Sequence, residues 1–423
     1  MMLLVAALFV LALLGMPLFT VLGSFGLLGF HAMHINASAV AVEMYRLAEA
    51  PLLIAIPMFT FAGYLLAESR APERLVTVSR AALGWLPGGL ALVALVACAL
   101  FTAFTGASGV TIIAVGGLLM PALIADRYDR RFVDGLLTTS GSLGLLFPPS
   151  LPIILYGYVA STSVDKLFAA GFVPGMLLVV VLGAYAARVS KRSGAGRQAF
   201  SWAELRRAVR GAAWELPLPL VVIGGIYSGK VTLTEAASLT AMYALVVEVL
   251  VYRDIKPRDL PRILTESMVL VGGILVILAT ALALTNYFIT AEVPTQLFDW
   301  IQQYVHSKAV FLVLLNVFLL IVGCLMDIFS AILVVVPLIA PVAAGYAVDP
   351  VHLGIIFLLN LEIGYSTPPV GLNLFIASLR FGRPVVELYR ASLPFLALYI
   401  LVLVVTTYVP GLSLGLVRLL GVR

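Results

Sequence analysis

The sequence predicts an all-α polytopic membrane protein, an inverted repeat of two re-entrant hairpins and two broken helices surrounded by scaffold helices. Three observations carry that expectation. The 423 residues are 62% hydrophobic and 11% charged, with a mean hydropathy of +1.10, whereas a soluble domain carries roughly 25% charged residues. Two apolar runs each contain adjacent prolines, SGSLGLLFPPSLPIILYG at 140–157 and EIGYSTPPVGLNLFIAS at 362–378. Around them, five residue pairs stand at one separation of 220 (368 − 148, for example): Pro121 with Pro341, Asp129 with Asp349, Gly144 with Gly364, Pro148 with Pro368 and Pro149 with Pro369.

Adjacent prolines matter because proline lacks a backbone N–H and clashes with the carbonyl one turn back, so a helix entering Pro148 or Pro368 must break. In lipid, the freed backbone groups are tolerated only where protein buries them, or where they line a wet cavity or bind something. The formal charge of +5 and the pI near 9.2 do not point to nucleic acid, because the basic residues sit in short clusters between apolar spans, as loop ends do at an anionic bilayer face. Cys98 and Cys324 lie inside apolar runs and read as buried free thiols. His31 and His34 have no Cys, Asp or Glu beside them to complete a metal site.

In chain order, residues 2–30 lack a basic leader region and a small-residue cleavage site, and read as a retained membrane helix. Further apolar spans fall at 50–67, 90–104, 110–124, 132–158, 167–187, 214–227, 236–251, 268–289, 310–324, 328–344, 351–379 and 393–409. Five basic clusters mark the cytoplasmic side. They are Arg70, Arg74 and Arg80; Arg127, Arg130 and Arg131; Arg188 through Arg210; Arg253, Lys256, Arg258 and Arg262; and Arg380, Arg383 and Arg390. Residues 90–124 leave one cluster and return to the next, so they form a hairpin with its tip at 105–109. Residues 132–158 cross outward through the first proline break, 167–187 return, two crossings lead to the Arg253 loop, and 268–289 run out again. The loop 290–307 carries Glu292 and Asp299 but no Lys or Arg. Residues 310–344 dip in from that side as a second hairpin, with its tip at GCLMDIFS (323–330). Residues 351–379 then cross inward through the second break, and the last span ends outside.

The two hairpin-plus-break units enter from opposite sides, so the repeat is inverted, the build of many secondary transporters. The expected division, within one membrane domain of 1–423, is a first unit at 88–160, scaffold and arm helices at 161–307, a second unit at 308–380 and a C-terminal scaffold helix at 381–423. Residues 199–215 have the composition of an interfacial amphipathic helix, and 254–266 that of a shorter second arm.

Broken helices and hairpin tips present unpaired carbonyls to a hard cation and unpaired amides to an anion. The candidates for binding sodium are Thr105, Gly106 and Ser108 at the first tip, Gly144 and Phe147 at the first break, Gly323 and Asp327 at the second tip, and Gly364 and Thr367 at the second break. The candidates for binding substrate are Ser150, Ser330, Ser366 and Asn373. Asp327 is the sharpest of these, because a carboxylate at membrane depth costs on the order of 3 kcal/mol unless it meets a cation, water or a partner. Glu362 has no acidic counterpart, the matching position in the repeat being Ser142, and is placed near the outer end of its helix. Asn286, Asn316 and Asn360 read as interhelical hydrogen-bond formers. GGIYSGKV at 224–231 has the spacing of a phosphate loop but ends in valine where the metal requires Ser or Thr, which leaves an ion gradient as the energy source.

These residues resemble a known family. LFPPSLPIILYG, LFAAGFVPGMLL at 167–178, IYSGKVTLTEAA at 226–237, DPVHLGIIFLLNLEIGYSTPPVGLNLF at 349–375 and LPF at 393–395 are similar to the large membrane subunit of tripartite ATP-independent periplasmic (TRAP) transporters, and the likeness covers nearly the whole chain. The resemblance implies an elevator-type carrier in a bacterial or archaeal inner membrane, with sodium as coupling ion and no other cofactor. It implies two protein partners, a small four-helix membrane subunit and a periplasmic substrate-binding protein, which delivers a small organic acid anion. It also places the ion and substrate region on the tips and breaks named above. The first tip reads TGASG, poorer in serine than is usual for the family, and Leu233 stands where a proline is common. Two other readings stand beside this one. A stand-alone ion-coupled divalent-anion carrier of related build would need no binding protein. A membrane-embedded transferase would need a clustered Asp pair or an interfacial His, and the sequence assembles neither.

Overall fold

The computed structural model describes residues 2–193 and 199–421, and every regular element among them is helical. Eight of the described helices are long and apolar enough to cross a membrane, or nine if Arg130–Leu146 and Leu151–Val159, bent by 48° at their break, count as one span.

Both hairpins form as expected. Gly89–Thr105 ends at Gly106, whose φ of +65° is the left-handed conformation that only glycine adopts without a Cβ penalty. Ala107 is extended, and Ser108–Ala125 returns. The second hairpin pairs Lys308–Leu325 with Ile328–Gly345 around extended Met326 and Asp327. Both broken helices form too. Arg130–Ser140 passes through a short turn at Leu143–Leu146, stops at Phe147 and cis Pro148–Pro149, and resumes as Leu151–Val159. Pro350–Gly364 stops before cis Pro368–Pro369 and resumes as Leu372–Phe381.

The 220-residue register has physical content. Asp129 and Asp349 cap the two broken helices: Asp129 Oδ1 accepts from the amides of Arg131 and Phe132 at 2.9 and 3.3 Å. Asp349 Oδ1 accepts from those of Val351 and His352 at 2.8 and 3.2 Å. Gly144 and Gly364 are where each broken helix touches the outer arm of its own hairpin. A Cβ on Gly144 would stand 2.3 Å from Ala99 O and 2.5 Å from Ala103 N, and one on Gly364 would stand 2.3 Å from the carbonyl carbon of Gly323. Ala103 and Gly323 are themselves one repeat separation apart. The inner arms cross over: Ser108–Ala125 packs against Leu372–Phe381, and Ile328–Gly345 packs against Leu151–Val159. Each repeat thereby completes the other's hairpin.

Long helices surround this core, among them Val164–Ser193, Leu233–Val246, Leu260–Thr290 and Val385–Tyr408. The T-x-x-E of the TLTE run is a capping box that starts Leu233–Val246, with Thr232 N donating to Glu235 Oε2 at 2.8 Å. At the end rich in basic residues, Arg74 Nη2 meets Glu215 Oε1 at 2.6 Å, Glu248 Oε2 at 3.1 Å and Asp254 Oδ2 at 2.7 Å. Asn360 Nδ2 donates to Asn316 Oδ1 at 2.7 Å and Asn316 Nδ2 to Thr407 Oγ1 at 3.2 Å, the interhelical role expected of two of the three asparagines. Cys98 and Cys324 are free and buried.

Several elements differ from expectation. Residues 2–30 are two helices, Met2–Leu13 and Leu18–Ala32, because Gly15 at φ +94° and Pro17 interrupt them. Residues 254–266 are no separate arm: after a turn at Pro257–Asp259 they run into Leu260–Thr290. That helix, at about 46 Å, outruns a hydrocarbon core of about 30 Å, so its polar start projects beyond the core. The apolar run 214–227 yields an 11-residue helix, Pro217–Tyr227, too short to cross alone. The C-terminal part forms two helices, Val385–Tyr408 and Gly411–Leu419. The amphipathic helix forms at Trp202–Gly211, and the 194–198 part of its basic loop lies outside the described residues.

Because backbone fills the space at both glycines, Gly144→Ala and Gly364→Ala should each destabilise the purified protein by about 1–3 kcal/mol, the usual cost of overpacking. Thermal unfolding in detergent measures this, and unchanged melting would refute the close approach.

Candidate functional site

The structure brings the tips and breaks together, and a buried polar contact at the first tip joins the two repeats. Ser108 opens the inner arm of the first hairpin and Asn373 lies in the first turn after the second break. Ser108 Oγ donates to Asn373 Oδ1 at 2.7 Å, with both residues buried. Asn373 Nδ2 has no protein partner. Thr105 Oγ1 is turned back onto Phe101 O at 3.1 Å. Gly106 lies against Leu151, where a Cβ would come within 2.5 Å of the side chain, so the first tip sits on the first residue of the resumed helix.

At the first break, Gly144 is pressed on the hairpin's outer arm, and the ring of Phe147 packs edge-on against Phe172 at 5.9 Å. What Phe147 can offer to an ion is therefore backbone. Ser150 Oγ is buried without a partner. At the second tip, Asp327 caps the returning helix: its Oδ1 accepts from the amides of Phe329 and Ser330, each at 3.0 Å, and Ser330 Oγ donates to Oδ2. The carboxylate thus has a structural partner set that satisfies the helix start. Gly323 touches Gly364, and Cys324 O receives the amides of Val370 and Gly371 at 3.3 and 3.4 Å. At the second break, Thr367 Oγ1 donates to Ile363 O at 2.8 Å, and Ser366 Oγ is buried without a partner.

Two contacts escaped the sequence reading. Tyr365, inside the second break, accepts from the amide of Ile328 through its hydroxyl at 2.8 Å and so ties break to tip. A phenol beside Gly364 in an unwound stretch was the available signal. Thr102 and Thr111 flank the first tip and bond each other at 2.6 Å, with Thr102 Oγ1 donating to Gly141 O at 2.7 Å. Their hydroxyls face each other only because the chain reverses at Gly106. Glu362 is fully buried, with both carboxyl oxygens unpartnered, and is not at an exposed helix end.

The chemistry of the region suits small ions. Four helix C-termini and four N-termini end at the tips and breaks, and each leaves carbonyls or amides without intrahelical partners. Three polar side-chain atoms there, on Ser150, Ser366 and Asn373, are buried and unsatisfied, a state that costs about 1–3 kcal/mol per group unless a ligand or water completes it. Among the described residues no group of three or more His, Cys, Asp or Glu is placed to hold a metal ion.

Comparison with known proteins identifies the architecture. Residues 5–412 match the family described as the tripartite ATP-independent periplasmic transporter, DctM component. The chain belongs to this family. A C4-dicarboxylate TRAP transporter large permease protein from Pseudomonas aeruginosa is 37% identical over 91% of each chain. An isethionate TRAP transporter permease protein, DctMQ, from Oleidesulfovibrio alaskensis is 36% identical over 86% of this chain and 57% of that longer one. In fold, the crystal structure of the Alcanivorax borkumensis YdaH transporter, reported for an unusual topology, is similar with a TM-score of 0.63 at 15% identity over 90% of this chain and 89% of that one. A TRAP large permease is a multi-pass transport subunit and not an enzyme, so the transferase reading falls.

If Ser108 and Asn373 act as a pair, Ser108→Ala and Asn373→Ala should be non-additive in substrate uptake, with a coupling of about 0.5–1.5 kcal/mol. A double-mutant cycle on initial rates in proteoliposomes checks it, and strict additivity would contradict the pairing.

Proposed function

We propose that this TRAP large permease imports a small organic acid anion, delivered by a periplasmic substrate-binding protein, by using a sodium gradient. The observation that carries the reading is the convergence of tips and breaks from two oppositely oriented repeats on one buried region with unsatisfied polar atoms. Carbonyls at the helix C-termini, with Thr105, Ser108, Gly144, Phe147, Gly323, Asp327, Gly364 and Thr367 around them, are the oxygen-rich surroundings a hard cation takes; Gly106 shapes the turn. Amides at the N-termini, with Ser150, Ser330, Ser366 and Asn373, are the donors an anionic head group takes. Relatives named for a C4-dicarboxylate and for isethionate fit a small anionic cargo, whereas others are named for ectoine, a zwitterion.

The crossed hairpins (89–125 and 308–345) and the two broken helices move as one body against the longer helices, an elevator motion. The small four-helix membrane subunit lies against those scaffold helices in a bacterial inner membrane; the fused permease of the isethionate relative fits such an arrangement. Membership in a tripartite family weighs against the stand-alone carrier.

Two measurements test this reading. Uptake by purified protein reconstituted with both partners should require an inward sodium gradient and the binding protein, and uptake without either would overturn it. Asp327→Asn keeps a side chain that caps a helix well but removes the charge. It should melt like the wild type while sodium-dependent uptake falls at least about tenfold, a loss of roughly 1.4 kcal/mol. Normal uptake by Asp327→Asn would remove Asp327 from the ion site.

A further inference from the structure

The contact between the first hairpin and the second broken helix extends well beyond Ser108 and Asn373. Along the parallel pair Ser108–Ala125 and Leu372–Phe381, Gly109 receives the side chain of Ile376, where a Cβ would come within 2.5 Å of Cδ1. One further turn along, Arg380 Nε donates to Ile113 O at 3.0 Å. Its guanidinium fills the space beside Gly117, where a Cβ would stand 2.0 Å from Nη2. Asn373, Ile376 and Arg380, at i, i+3 and i+7, lie on one helix face. The inner arm is a π-helix over Ile112–Gly116, the kind of local widening that loosens i→i−4 bonding, and it is there that the Ile113 carbonyl turns to an outside donor. At the same end, Asp134 Oδ1 lies 3.2 Å from Arg130 Nε and its Oδ2 3.6 Å from Arg383 Nε, so the first repeat also meets there the residues that follow the second.

The other crossing is built differently. Ile113 matches Leu333 at the repeat separation, and Pro337, four residues on, has no N–H to give the Leu333 carbonyl. Both inner arms are therefore irregular at the same place. Yet the position matching Gly117 is Pro337 and that matching Arg380 is Ala160, so the second crossing has neither the slot nor the guanidinium.

We propose that Arg380 is a positioning residue. Seated beside Gly117 and bonded to Ile113, it fixes the register between the first hairpin's inner arm and the second broken helix, and so holds Ser108 against Asn373. Only the crossing at the basic end of the molecule is latched this way. The consequence for uptake rests on the transport reading given above, but the latch itself does not, and the two are tested separately.

Spin labels at Ala107→Cys and Leu379→Cys, in a background with Cys98 and Cys324 replaced, read the latch directly. Their distance distribution should be narrow with Arg380 present and broad in Arg380→Ala, with Arg380→Lys between, since lysine restores one donor but not the planar fork. Gly117→Ala, which keeps the guanidinium but fills its slot, should also broaden the distribution, and should have no effect once Arg380 is alanine. In uptake, Arg380→Ala should raise the substrate concentration for half-maximal rate about tenfold, the scale of losing one charged hydrogen bond, with a smaller change in maximal rate. Unchanged distances in Arg380→Ala, or additive effects of Arg380→Ala and Gly117→Ala, would overturn the proposal. A wild type that carries substrate without sodium would overturn the coupling reading and leave the latch standing.

Discussion

Every helix that ends inside lipid leaves backbone groups without partners, and among the described residues eight helix ends meet at the tips and breaks, at Thr105, Ser108, Leu146, Leu151, Leu325, Ile328, Gly364 and Leu372. The rest of the structure follows from how those ends are accommodated. Aspartate and tyrosine satisfy some: Asp327 caps Ile328–Gly345, and the Tyr365 hydroxyl takes the Ile328 amide. Others close on backbone, as when Cys324 O receives Val370 and Gly371. Closure of this kind needs main chains to approach within contact distance, which is why Gly144 and Gly364 meet the hairpins' outer arms where no side chain fits. Ser150, Ser366 and Asn373 keep unsatisfied side-chain atoms in the same region, and it is there that we propose the site for ions and an anion.

The inverted repeat was legible because its signals are local and obligatory. Proline pairs break helices wherever they occur, Asp129 and Asp349 are strong caps in any context, and lysine and arginine mark one side of a bilayer. A single register linked them, and the contacts at Gly144 and Gly364 explain why that register held. The hairpin tips were legible for the same reason, Gly106 and Asp327 being residues that end or begin helices.

What stayed hidden depends on the third dimension. No spacing rule places Ser108 beside Asn373, 265 residues away, because the pairing arises from two inner arms crossing over. The need of Asp327 for a partner was legible, but its capping of the returning helix and its pairing with Ser330 required the turn geometry. The start of Leu260–Thr290 was misread as an arm because its polar first turns resemble a loop, whereas the helix projects past the apolar core. Gly15 and Pro17 were present in the sequence, but a uniformly apolar surrounding outweighed them in reading 2–30 as one helix.

The central claim is that two repeats of opposite orientation bring their hairpin tips into one buried region from opposite faces of the membrane. Thiol labelling tests it most directly, with single cysteines at Ala107→Cys and Met326→Cys in a background lacking Cys98 and Cys324, in sealed vesicles of known orientation. The account predicts that a membrane-impermeant reagent reaches the two tips from opposite sides in at least one state of the cycle. Labelling of both tips from the same side in every state would contradict it.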